Sequence, residues 1–81
     1  MKLPRDVSGE ELVRSLRRFG YEITRQTGSH IRVTLNVESG QHHVTIPAHK
    51  QVKVGTLAGI LSDVAAHLGL TREQLIEQLF N

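Results

Sequence analysis

A chain of 81 residues holds too few apolar side chains for two cores, so residues 1–81 are expected to form one domain. Ten Lys and Arg against eight Asp and Glu leave a formal charge of +2, too small an excess to argue a nucleic-acid partner from composition alone. With no cysteine, disulfides and thiolate metal sites are excluded.

The N-terminal stretch from Met1 to Asp6 lacks the apolar core of a secretory signal. Ser8 and Glu11 have the spacing of a capping box. Leu12, Leu16 and Phe19 recur at helical spacing behind it, widened by Val13, with Arg14, Arg17 and Arg18 toward a solvated side. The spacing predicts a helix over about residues 9–19, with Gly20 as its C-terminal cap.

Three strand-like runs follow. Tyr21 to Arg25 is rich in β-formers, and Thr27-Gly28-Ser29 is a turn. From His30 to Val37 the chain alternates strictly. Ile31, Val33, Leu35 and Val37 share one face, and His30, Arg32, Thr34 and Asn36 the other. Glu38-Ser39-Gly40 turns the chain again into a third strand, His42 to Ile46, stopped by Pro47. Two short connections predict an antiparallel meander with one face buried. Beyond the loop from Ala48 to Val54, Leu57, Ile60, Leu61, Val64, Ala65 and Leu68 mark an amphipathic helix, N-capped by Thr56 and ended by Gly69. The longest mainly apolar run of the chain, Val64 to Leu70, is too short to span a membrane. Thr71 and Gln74 then form a second capping box before a short third helix with Leu75, Ile76, Leu79 and Phe80 as its apolar set. The fold class expected is α+β, in the order α-β-β-β-α plus a short C-terminal helix, with the helices on one face of a three-stranded antiparallel sheet.

Chemistry concentrates in the middle third. Between Gly20 and Lys53 lie Arg25, Arg32, Lys50 and Lys53, opposed only by Glu22 and Glu38, together with His30, His42, His43 and His49. His30 opens a strand after a glycine turn and shares the polar face with Arg32 and Thr34. An imidazole there can take a proton from a ribose 2′-hydroxyl or give one to a leaving 5′-oxygen. The Gly28 and Ser29 amides can approach a phosphate closely. Pattern alone also allows, and by itself favours, an exposed strand-end histidine with no task.

His42 and His43 are adjacent in a strand and point to opposite faces, so they cannot share one ion. His42 has the parity of Val44 and Ile46 and reads as partly buried or at the strand edge, whereas His43 goes with Thr45. No metal site and no cofactor is expected. His49, Lys50 and Lys53 are equally a phosphate-contacting edge or a solvated loop. His67 reads as a helix-terminus residue favoured by the dipole. Phe19 and Phe80 read as core residues, so stacking on splayed bases is disfavoured against shape and backbone contacts.

Several of these elements occur together in an order that resembles the HicA family of bacterial toxins. They are Leu3-Pro4, Phe19-Gly20-Tyr21, Arg25-Gln26-Thr27-Gly28-Ser29-His30, Ile46-Pro47, His49 and Val54-Gly55-Thr56-Leu57 through Ile60-Leu61. The resemblance runs from about Leu3 to Leu70. It implies a fold like the double-stranded-RNA-binding domain, mRNA interferase activity with His30 as the catalytic histidine, and a HicB-type antitoxin that masks the active site. Ile31 departs from the pattern, since many relatives carry a second histidine there, and many relatives end before the third helix.

The expectation that follows is a cytoplasmic, metal-independent endoribonuclease toxin acting on mRNA. His30 would be its general base or acid and His49 a second candidate. Arg25, Gly28, Ser29, Arg32, Lys50 and Lys53 would hold RNA. The alternative is a non-catalytic RNA-binding or protein-interaction module of the same fold.

Overall fold

Three helices and three strands follow one another as α1 (Gly9–Arg17), β1 (Glu22–Thr27), β2 (His30–Val37), β3 (Gly40–Pro47), α2 (Val54–Leu68) and α3 (Arg72–Phe80). This computed structural model describes residues 3–4 and 6–80. Met1, Lys2 and Arg5, in the stretch read for a secretory signal, lie outside the described residues, as does Asn81.

The capping box of α1 forms as its residues require. Ser8 Oγ accepts from the Glu11 amide at 3.0 Å, and the Glu11 carboxylate accepts from the Ser8 amide at 3.3 Å. The helix ends at Arg17, two residues earlier than the spacing predicts. Phe19 and Gly20 instead make a turn whose amides bond to the Leu16 and Arg17 carbonyls. Gly20 adopts φ +101° there, beside the Leu35 side chain, where a Cβ would be both strained and crowded.

The sheet is a meander in the order β1-β2-β3, antiparallel throughout. Pairing runs to the very ends of both hairpins, Thr27 opposite His30 and Val37 opposite Gly40, so β1 and β3 run further into the turns than expected, β2 has its expected bounds and each loop has two residues. Gly28 takes φ +53° at the first loop position, where such tight turns favour glycine.

The helices cover β2 and β3. Ile31, Val33, Leu35, Val44 and Ile46 face them and join Leu12, Leu16, Leu57 and Leu61 in one core. Two residues depart from the alternation expected along β2. Val37 is 40% exposed, because it sits at the hairpin end. Thr34, on the polar face, is only 1% exposed. All of β1 is exposed, Ile23 included.

α2 begins at Val54, with Lys53 at the N-cap and no side-chain cap, rather than after Thr56. The buried Val52 is anchored by its amide to the Val7 carbonyl at 2.8 Å, and the Lys53 carbonyl already accepts from the Leu57 amide. Thr56 therefore falls inside the first turn. Gly69 ends the helix at φ +71°. The second capping box forms, Thr71 and Gln74 exchanging bonds of 2.8 and 3.1 Å, and Leu75, Ile76 and Leu79 of α3 are buried. The third helix is thus part of the domain. Arg18 is not merely solvated: its guanidinium donates to the Gln78 and Leu79 carbonyls at the end of α3, where a cation is favoured. Phe19 and Phe80 are half-buried at the rim of the core rather than inside it.

Among the described residues no single helix is long and apolar enough to cross a membrane. α2 and α3 have the length together, but they bend by 103° and turn their apolar faces into the core.

Candidate functional site

The sheet face away from the helices is laid out in rows across the strands. His30 pairs with Thr27 and Pro47, Arg32 with Arg25 and Thr45, Thr34 with His43, and Asn36 with Gln41. In a strand every second side chain returns to the same face, so His30, Arg32, Thr34 and Asn36 all stand on this one. A shallow depression of about 200 Å³ lies over the first two rows, lined by Arg25, Thr27, His30, Arg32 and Thr45. Three residues expected to work together, His30, Arg25 and Arg32, therefore meet in one place.

His30 is exposed. Arg32 is half-buried, and its Nε is buried with no hydrogen-bond partner in the chain. An unpaired buried donor costs free energy that an anionic acceptor would recover. The Arg32 side chain lines the depression, so its guanidinium places positive charge beside His30.

His49, Lys50 and Lys53 are exposed in the segment that follows β3 and do not line the depression. The chain passes the His30 turn closely, since the Ala48 amide donates to the Ser29 carbonyl at 2.7 Å. That bond holds Ser29 in place by its carbonyl. Ile31 is buried on the helix side, so its position cannot contribute a second group beside His30.

The two adjacent histidines of β3 lead to opposite faces, as their parity requires. His42 is half-buried under the helices. Its Nδ1 lies 2.7 Å from the Tyr21 hydroxyl and its Nε2 3.3 Å from the Asp63 carboxylate. Asp63 can only accept from Nε2, so in the neutral ring Nδ1 takes the Tyr21 proton. His67 stacks on His42, with centroids 4.1 Å apart and an interplanar angle of 10°. His67 is therefore a packing partner as well as a residue of the last turn of α2. No sequence pattern pointed to this cluster, because its four members come from β3, α2 and the turn before β1. Among the described residues no group of three or more acidic or histidine side chains is arranged to hold a metal ion.

Tyr21 is fully buried, and burial, followed by the nearby Asp63 carboxylate, pushes its phenol up to about 12. Because the folded value is raised, this group contributes stability in full below the unfolded value of about 10 and loses it as pH rises through 12. The effect is at most about 3 kcal/mol. Tyr21 is the only tyrosine and there is no tryptophan, so its ionisation is directly visible in near-ultraviolet absorbance. The expected midpoint is near 12 in the native protein and about 10 in denaturant. A native midpoint near 10 would show that Tyr21 is open to water.

Comparison with known proteins adds one match: the family described as HicA toxin of bacterial toxin-antitoxin covers residues 9–66, from the first residue of α1 into the last turns of α2. No curated protein and no solved structure matches the chain.

Proposed function

The chain belongs to the HicA toxin family of bacterial toxin-antitoxin systems, and from that premise we propose that it is a metal-independent endoribonuclease that cuts mRNA in the cytoplasm. As a family member it is the toxin of a pair and has an antitoxin partner. The observation that carries the finer reading is the exposed His30 in one depression with Arg25 and Arg32.

The scheme follows from those groups. A phosphodiester enters the depression, and the two guanidiniums hold its non-bridging oxygens, strengthening as negative charge grows on them in the transition state. His30 takes the proton of the adjacent ribose 2′-hydroxyl as general base. The 2′-oxygen attacks phosphorus, the bond to the 5′-oxygen breaks, and the products are a 2′,3′-cyclic phosphate and a 5′-hydroxyl. The leaving oxygen takes its proton from His49 or from water. Gly28 and Ser29 keep the backbone low beside the phosphate, and Lys50 and Lys53 attract the flanking strand.

A HicB-type antitoxin would stop this reaction by covering the His30 face. Its contact surface should be acidic or polar, to match Arg25 and Arg32.

The test is incubation of the purified protein with mRNA in excess EDTA. Cleavage with 2′,3′-cyclic phosphate ends is expected. An intact RNA that is nonetheless bound would establish the non-catalytic module instead, and activity restored only by an added divalent ion would refute the metal-free scheme.

A further inference from the structure

Beyond the depression, the third row of the same face contains a hydrogen-bonded chain across all three strands. Thr24 Oγ1 lies 2.7 Å from Thr34 Oγ1, and Thr34 Oγ1 lies 2.8 Å from His43 Nδ1. Thr24 has no direct partner in β2, because the register shifts between Ile23 and Arg25, and this irregularity in an edge strand is what turns its hydroxyl toward Thr34.

Two directions satisfy the chain. Thr24 can donate to Thr34 and Thr34 to His43 Nδ1; or Thr24 donates to the Arg32 carbonyl, 3.4 Å away, Thr34 donates to Thr24 and His43 Nδ1 donates to Thr34. The second direction also uses the Arg32 contact, and in it the proton of the neutral ring sits on Nδ1 and Nε2 is left with its lone pair. His43 is exposed, so that acceptor is open to solvent. Its neighbour His42 is held in the opposite tautomer by Asp63 on the other face.

We propose that His43 is an RNA-binding residue whose Nε2 accepts a hydrogen bond from a ribose 2′-hydroxyl next to the cleavage site. This rests on the endoribonuclease reading of the His30 depression and adds to it a second point of contact. His43 and the Pro47 opposite His30 are four residues apart on β3, or about 13 Å along the strand, so the two histidines serve different nucleotides. A lone-pair acceptor is mismatched to a phosphate, which has no proton to give. The 2′-hydroxyl is a donor present on every ribonucleotide, whatever its base, and is what separates RNA from DNA. Thr34, buried at 1%, holds the ring in this orientation as a positioning residue.

The experiment uses the full chain carrying His30→Ala, so that RNA is bound but not consumed. Its affinity is measured for a short RNA and for copies with a single 2′-deoxy substitution at each position in turn. One position away from the cleavage site should weaken binding about threefold to tenfold, the worth of one hydrogen bond. Adding His43→Ala should abolish that position's effect and lower affinity for the unmodified RNA by the same factor. In parallel, nitrogen NMR of the His30→Ala protein should find neutral His43 protonated at Nδ1 and His42 at Nε2. Thr34→Val should release His43 from that preference.

If the His30→Ala protein binds RNA and the deoxy profile is the same with and without His43, the inference fails while the RNA reading stands. If no RNA is bound at all, both fail. A His43 ring protonated at Nε2 would also overturn it.

Discussion

Replacing His30 by alanine is expected to lower RNA cleavage at least 100-fold while leaving the domain folded. Proton transfer by a positioned side chain contributes about 10²–10⁴ to a rate, and His30 is the only histidine lining the depression that holds Arg25 and Arg32. Its side chain is exposed, so stability should change by no more than about 0.5 kcal/mol. The two measurements are a cleavage time course on mRNA and a thermal melt of the same preparation. Growth on induced expression gives a third, since the variant should no longer arrest the cell. A folded His30→Ala protein that cuts RNA at the normal rate would remove His30 from the chemistry. Retained cleavage would also direct attention to His49, which follows β3 near the same turn.

Gly9→Ala should be among the most damaging single substitutions outside the hydrophobic core, although alanine is by far the better helix former. Gly9 is the first residue of α1 and is buried against the chain leaving β3. A Cβ built on it would stand 2.1 Å from the Pro47 carbonyl oxygen and 3.0 Å from the Ala48 Cα. These are backbone atoms and cannot swing aside as a side-chain tip would. The Gly9 amide also donates to the His49 carbonyl at 2.9 Å, so the helix cannot draw back without losing that bond. Overpacking of this kind costs about 1–3 kcal/mol, and in a domain of this size about 2 kcal/mol lowers Tm by roughly 10 °C. The segment displaced is the one bonded to Ser29, next to His30, so cleavage should fall as well. Circular dichroism melts of the variant and the parent decide the matter, and an unchanged or raised Tm would refute the close approach.

The damage expected at Gly9 has no trace in the local sequence. Ser8-Gly9-Glu10-Glu11 reads as the start of any capped helix, and nothing in it says that another segment presses on Gly9. The same limit explains the other departures. Arg18 reads as one more solvated arginine until α3 is folded back with its terminal carbonyls beside it. Thr34 has the parity of an exposed residue, and only neighbours on two other strands bury it. Thr56 is a good N-cap by type, but the Val52–Val7 bond starts the helix earlier.

What the sequence by itself determined is whatever depends on residues close together in the chain. The period of Ile31, Val33 and Leu35 assigned the inner face of β2. The paired Ser8–Glu11 and Thr71–Gln74 spacings marked two helix starts, and Gly28-Ser29-His30 placed the histidine at the mouth of a tight hairpin. A period of two or 3.6 residues and the reach of a capping side chain are local quantities, so one stretch of chain contains all the information they need. The tertiary structure alone decided which residues meet across strands and between elements. It joined Arg25, His30 and Arg32 in one depression, built Tyr21, His42, Asp63 and His67 into a cluster, and aligned Thr24, Thr34 and His43 in a single row. Such meetings depend on register, where a slip of one residue sends every side chain to the other face, and register is set by the packing of the whole sheet against its helices.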